Sequence, residues 1–531
     1  MRAKLACEAL KFLAASLPIA LVDLIKLLLP SLTIMHVGAS SSNSTTELAG
    51  ASLGVLTFNV AGNMISTAPL VAMDTIAPQA YGAGHEAGVG LAALRAIITC
   101  CLFLLPTSPL WVFARPLLVA FGQPAAVAQF GAEYMRLMLP GLPPFFLFEL
   151  TRKVLYAQSS TDATRLRMLP LIAGVVGLVA HFIWLRLFDA LGWRGAPLAL
   201  NCSYVTLALT LAALIRAVAP HALTSVWPRA LERRLLLRDR AAIKHFLSTS
   251  AAALLSLSEW LFWEFVCFRV GTLGELTLAA YGIAYSLEPV FFMLPIGIGT
   301  ALANSVGNAL GAGEPAQAKR VAAGGLLAGS FTVAAYCVGV FVLGDALARC
   351  YSQDEAVLAA AAELWPAFCG FMLVSGHFGV AIGLMRGLGM QRFNATCVVL
   401  VLWPVGVPLV AWAAHTAPRV WLMLSAAYIL LVAALLAGAG CADWRKLSDI
   451  AIAASGGGGG GESAKSGGAG RVANGGDGEG AGKEMHAARG GGLAAADSCA
   501  AEQQANSSVG GTSATRAPLG TSSAGASEHG I

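Results

Sequence analysis

The sequence predicts an all-α membrane protein of about twelve spanning helices in two six-helix lobes, followed by a disordered tail. Three observations predict it. Hydrophobic residues make up 57% of the 531 and charged residues 12%, with a mean hydropathy of +0.70, whereas a soluble domain carries about 25% charge. The apolar residues form long continuous runs, unlike the short alternating segments of a barrel. Finally, two related polar stretches interrupt those runs about half the chain apart: MDTIAPQAYGAG at 73–84 and LPIGIGTALANSVGNALGAG at 294–313.

A bilayer core about 30 Å thick needs roughly 20 apolar residues per helix. Such runs lie at 12–34, 51–72, 90–113, 134–154, 168–188, 196–219, 246–268, 277–303, 322–347, 357–384, 394–414 and 418–440. The first is too long for a signal peptide and lacks its small-residue cleavage pattern, so it is expected to remain as a helix. Cytoplasmic loops collect Lys and Arg. One side has Arg2, Lys4, Arg152, Lys153, Arg165, Arg167 and the loop from Arg216 to Lys244, against Arg115, Arg136, Arg186, Arg194, Arg269, Arg349 and Arg419 on the other. Both termini are therefore expected in the cytoplasm. The net charge of +5 reflects this topology and does not indicate a nucleic-acid partner. The cysteines within the runs show no paired spacing, so no disulfide framework, metal site or cofactor is expected.

The long basic loop divides the chain into residues 1–230 and 231–448, one lobe each. From 449 to 531 the chain is Gly, Ala, Ser and scattered charge, which cannot bury enough apolar surface to offset its ordering entropy, so a disordered tail is expected. The two polar stretches follow the second and eighth runs. Matched interruptions in two halves mark a parallel internal repeat, related by an axis along the membrane normal.

The chain resembles the multidrug and toxin extrusion (MATE) family of antiporters over residues 8 to 446. The resemblance is carried by Asp74, Thr75, Gln79, Tyr81 and Gly82 in the first stretch, Pro295, Gly297 and VGNALGAG (306–313) in the second, SLSEWLFWE (256–264) and RGLGMQ (386–391). The glutamate–tryptophan pattern is similar to the animal and plant branch. The resemblance implies export of organic cations, drugs or toxins, driven by protons or by sodium in their place. Asp74, Gln79, Tyr81, Gly82, Pro295, Asn308, Gly311, Arg386 and Gly387 are expected in loops that clamp or hinge the lobes, or that are tight connections with no role in motion, with Asp74 bonding backbone amides of its loop rather than substrate. Two positions depart from the family pattern: Ser375 stands where related members carry an acid, with His377 the nearest titratable group, and Ser305 replaces an Arg before VGN.

An ionisable group in mid-span costs about 2.5–3.5 kcal/mol on insertion scales and is by default a functional candidate. Glu259 lies in the seventh run with Trp263 four residues on, so a carboxylate and an aromatic ring share one helix face. Together they suit a cationic ligand through charge and cation–π attraction. Proton and cation compete for one carboxylate, which is a chemical basis for exchange. Trp260 and Glu264 repeat the pairing on another face, with Glu264 expected as a partner of Glu259 or as an acid bonded to a neighbouring helix. Glu288, before Pro289, is expected to line the same cavity or to mark a helix break. His377 is a candidate substitute for the missing acid or a packing histidine. Asp23 and Lys26 are expected to neutralise each other rather than to form a cation site, Glu149 to be a surface acid beside Arg152 and Lys153, and Asn59 and Asn63 to form a polar strip for packing or cavity lining.

The function expected is therefore a secondary antiporter, not an enzyme, exporting small organic cations or drug-like compounds in exchange for protons by alternating access. It is expected in the plasma membrane or a vacuolar or vesicular membrane. A lipid-linked precursor flippase is the alternative, but it calls for a basic cavity. No GxxxxGK[ST] motif is present, which argues against direct ATP drive.

Overall fold

The computed structural model describes residues 2–39, 45–158, 163–229, 239–413 and 415–455. Among them all regular structure is helical. Eleven helices are long and apolar enough to cross a membrane. They are α1 (Ala9–Ala39), α2 (Thr46–Gly82), α3 (Glu86–Val112), α5 (Thr164–Leu187), α6 (Asp189–Val218), α7 (Arg240–Gly271), α8 (Glu275–Gly311), α9 (Pro315–Arg349), α10 (Trp365–Gly387), α11 (Gln391–Trp412) and α12 (Ala417–Cys441).

The span expected at 134–154 is present as a broken helix, α4. It runs Ala125–Met138 and Leu142–Ala157, joined by the 3-10 turn Leu139–Gly141. Pro140, Pro143 and Pro144 each lack an N–H to continue an α-helical ladder. This helix also carries Glu133, Arg136, Glu149, Arg152 and Lys153, so its composition is the least lipid-like of the series.

Of these, Glu149, Arg152 and Lys153 are paired inside the protein. Glu149, expected at the surface, is buried. Lys26 Nζ lies 2.7 Å from Asp23 and 3.0 Å from Glu149, while the Arg152 guanidinium reaches Asp23 at 2.8 Å and Glu149 at 2.7 Å. The expected Asp23–Lys26 pair is thus half of a neutral quartet joining α1 to α4. Removing one partner of such a buried set leaves an uncompensated charge and typically costs about 3–5 kcal/mol, whereas replacing the whole set by apolar residues of like volume is close to neutral. Arg152→Met is accordingly expected to lower the melting temperature of the purified protein sharply. The fourfold apolar replacement should restore most of it, and an unchanged melting temperature in Arg152→Met would refute this account.

The two largest hydrophobic cores follow the two halves, and two smaller ones pack residues of α2 against Phe246, Ala253 and Leu257 of α7. Of the two largest, one is built almost wholly from residues between Phe262 and Ala451, the other from residues between Val22 and Ala222. Helix α1 joins both: Phe12 and Ile19 enter the first core, Val22, Ile25 and Leu29 the second. The described residues all fall in one compact unit.

The two polar stretches are not loops. Each is the last part of a 37-residue helix, α2 or α8, which runs through Pro78 or Pro295 to Gly82 or Gly311. They remain helical because their polar side chains find partners on other helices, described below. Their ends match in detail. In Gly82–Ala83–Gly84 and Gly311–Ala312–Gly313 the last glycine has φ of 74° and 77°, the region that glycine adopts without a Cβ penalty. His85 N bonds Ala80 O at 3.0 Å and Glu314 N bonds Ala309 O at 2.9 Å.

The ends also pack reciprocally. A Cβ on Gly82 would stand 2.1 Å from the carbonyl oxygen of Asn308, and one on Gly311 would stand 2.1 Å from that of Gln79. Each glycine therefore touches the residue three before the other, a self-complementary contact of the kind a two-fold axis produces. The parallel repeat expected from the sequence is visible in this pair.

A last helix, α13 (Trp444–Ser455), continues past Asp449, where the tail was expected to begin. Trp444, Ser448 and Ala451 form its buried stripe, and Ser448 Oγ donates to Leu310 O at 2.7 Å. Residues 456–531, most of the expected tail, lie outside the described residues.

Candidate functional site

Helix α7 is interrupted at Leu257, between Arg240–Ser256 and Ser258–Gly271. The interruption is held from α11: Asn394 Nδ2 donates to Ser256 Oγ at 3.0 Å, and Trp403 Nε1 to Ser258 Oγ at 3.3 Å. Glu259 therefore begins a new helical segment with its side chain turned inward, 8% exposed. Its carboxylate accepts the Tyr428 hydroxyl at 2.6 Å and Trp263 Nε1 at 3.2 Å, and Trp263 Nε1 is also 3.1 Å from the Tyr428 oxygen. The Glu259–Trp263 pairing expected from their spacing is present, closed by a tyrosine from α12.

Aromatic rings surround this carboxylate. Trp263 lies 5.3 Å from Phe371, 6.0 Å from Tyr285, 6.2 Å from Trp421 and 6.4 Å from Tyr428, centroid to centroid. Glu288, also 8% exposed, adds a second acid from α8, close to Ser375 and within electrostatic reach of Glu259. The helix passes through Pro289 without a break. Among the described residues no Lys or Arg is paired with either acid. Two buried carboxylates without a basic partner, walled by π-faces, form a site suited to a cation or to protons.

The other candidates are placed elsewhere. Trp260 is 42% exposed and points along the same side as Phe268, at 74%. Glu264 is half-buried near Tyr281 and Tyr285 and makes no hydrogen bond or ion pair among the described residues. His377 turns from the acids toward α9, with Nε2 3.0 Å from Ser330 Oγ and Nδ1 2.7 Å from Leu373 O. Asn59 and Asn63 bound a π-turn in α2, half-buried, and Asn63 Oδ1 accepts from Thr67 at 3.3 Å.

The residues expected to form loops instead hold the two halves together at the basic face. Among the described residues Asp74 bonds no backbone amide. It lies 2.5 Å from Lys153 Nζ in its own half and 3.3 Å from Arg386 Nη1 in the other. Thr75 Oγ1 donates to Arg386 O at 2.7 Å, Gln79 Nε2 to Gly387 O at 3.1 Å, and Asn308 Nδ2 to Ala157 O at 3.1 Å. Pro295 is buried in contact range of Gly379, and Tyr81 lines a cleft treated below. Sequence reasoning missed Tyr428, Trp421 and Phe371. A tyrosine hydroxyl in an otherwise apolar span needs a partner, and that was the available signal for Tyr428.

Long spanning helices, a two-fold internal repeat and an acidic, aromatic-walled site define a multi-pass helical membrane protein of repeated architecture. More specifically, the chain belongs to the multidrug and toxin extrusion family: the MatE family model matches residues 18–184 and 251–412. It is 31% identical over 370 residues to multidrug and toxin extrusion protein 2 of Oryctolagus cuniculus, covering 68% of this chain and 59% of that protein. Protein 1 of the same animal is 29% identical over 372 residues, covering 69% and 63%. The chain thus spans less than two thirds of either relative's length. Among solved structures, the eukaryotic MATE transporter AtDTX14 superposes with a TM-score of 0.73 at 20% identity, covering 84% of this chain and 99% of that one. The Vibrio cholerae transporter VcmN in its bent form gives 0.67 at 18%, covering 85% and 98%. At these identities the likeness shows the fold.

Proposed function

We propose that the protein is a secondary antiporter that exports organic cations or drug-like compounds in exchange for protons. The observation that carries this reading is the pair of buried acids, Glu259 and Glu288, in an aromatic enclosure without a basic partner among the described residues. A proton and an organic cation each neutralise that site, and occupancy by one opposes the other. The names of the similar proteins, multidrug and toxin extrusion proteins, support the same substrate class. The flippase alternative is disfavoured, because a lipid pyrophosphate needs cations where this site presents acids.

The lobes are residues 1–230 and 231–448, both termini face the cytoplasm, and the basic face where α2 meets α8 is the cytoplasmic mouth, closed here. Alternating access consists of opening that mouth by separating the glycine contacts and the Asp74–Arg386 bridge. The host membrane is the plasma membrane or a vacuolar or vesicular one. The test is uptake of a fluorescent organic cation into proteoliposomes under an imposed pH gradient, with a sodium gradient as a second arm. Uptake is expected to follow the pH gradient and to vanish with a protonophore. Uptake that ignores both gradients would overturn the exchange reading, and uptake driven by sodium alone would replace the coupling ion.

A further inference from the structure

A second polar feature lies away from the acidic site. At the basic face a cleft of about 520 Å³ opens between the halves, within the 300–1,000 Å³ range of small-molecule sites. Lys11 on α1 and Arg167 on α5 line one side, and Asn308 on α8 and Glu314 at the start of α9 line the other, with Tyr81 and Ser305 also on its walls. Arg167 is half-buried and makes no hydrogen bond or ion pair among the described residues. Asn308 is 8% exposed and its Oδ1 has no hydrogen-bond partner among the described residues. The cleft is therefore polarised: cations stand in the N-terminal half, while an acid and a spare acceptor stand in the C-terminal half. Lys11 and Arg167 each directly precede an apolar run, those beginning at 12 and 168, which sets them at head-group depth, where basic pockets between helices take lipid head groups.

We propose that this cleft binds a phosphorylated polyol, its phosphate on Lys11 and Arg167 and its hydroxyls on Glu314 and Asn308. Phosphate gains charge-assisted hydrogen bonds from the guanidinium. Hydroxyls supply the donors that a carboxylate and an amide oxygen accept. A bare phosphate leaves the acid side unmatched, and a neutral sugar leaves Arg167 unmatched. Such a ligand bridges the halves at the mouth that α2 and α8 close, so it favours the closed state by its differential affinity for it. That consequence rests on the exchange reading above, but the binding itself does not.

The chemistry is shared by inositol phospholipids and by free sugar or inositol phosphates, so the test has two arms. The full chain in phosphatidylcholine nanodiscs is titrated calorimetrically with inositol 1,4-bisphosphate. In parallel, nanodiscs containing a few per cent of phosphatidylinositol 4-phosphate are examined by native mass spectrometry for retained lipid. Saturable binding in either arm, weakened about tenfold or more by Arg167→Gln and unaffected by Arg320→Gln, supports the site. One lost charge-assisted bond of about 1.4 kcal/mol corresponds to that factor. The arm that binds identifies the source as membrane or solution. Lys11→Gln, at an exposed position, gives the same readout should Arg167→Gln fail to fold. No binding in both arms, equal binding in the variants, or an equal loss in Arg320→Gln overturns the proposal. Transport plays no part in the readout, so its failure and that of the exchange reading are separable.

Discussion

Glu259→Gln is expected to abolish gradient-driven uptake of an organic cation, by about 100-fold or more, while the protein remains folded. Gln is isosteric, keeps an oxygen to accept from Tyr428 and Trp263, and removes the charge that on the proposed exchange attracts the cation and the atom that on it carries the proton. An ionised acceptor contributes about 1.5–3 kcal/mol per hydrogen bond, and the cation itself loses its counter-charge in a weakly screened site. Losses in binding and in coupling therefore compound. Glu288→Gln should act in the same direction but less severely, since Glu259 alone holds the tyrosine and the indole. Tyr428→Phe tests the geometry separately: it leaves the charge and releases the carboxylate, so uptake should fall about tenfold with coupling to the gradient retained. Full gradient-driven activity in Glu259→Gln would eliminate this carboxylate from the exchange.

The second large effect is expected at the reciprocal glycine contact. Gly82→Ala or Gly311→Ala places a methyl 2.1 Å from a backbone carbonyl oxygen of the facing helix. No side-chain rotation relieves such a clash, so the two helix ends must part. Overpacking of this kind costs about 1–3 kcal/mol, which on the proposed alternating access shifts the balance between closed and open mouths about 5- to 150-fold. Spin labels at Arg165 and Arg320, exposed positions in opposite halves, should report a longer mean distance in either variant, with transport lowered about tenfold. The double variant should add little, because both residues serve one contact. Unchanged distances in both single variants would show that this contact does not govern closure.

Several features were legible in advance because they are local. A helix in lipid must satisfy its own backbone hydrogen bonds, so each spanning segment declares itself by length and hydropathy. The same locality exposed the repeat and the Glu259–Trp263 spacing. The stripe Trp444, Ser448 and Ala451 was equally readable, but the Gly-rich stretch beyond it drew the boundary too early.

By itself, then, the chain determined its solvent, its helical class, its two-fold plan and the acid at its centre. Tertiary structure alone decided which polar groups meet. Asp23 finds Arg152 across 129 residues, Glu259 finds Tyr428 across 169 and Asp74 finds Arg386 across 312. The reason is that apolar helix faces are nearly interchangeable in lipid, where no hydrophobic drive distinguishes one neighbour from another. Rotation and crossing of each helix are set by close glycine contacts and polar pairing, and neither can be read from the residues of one helix.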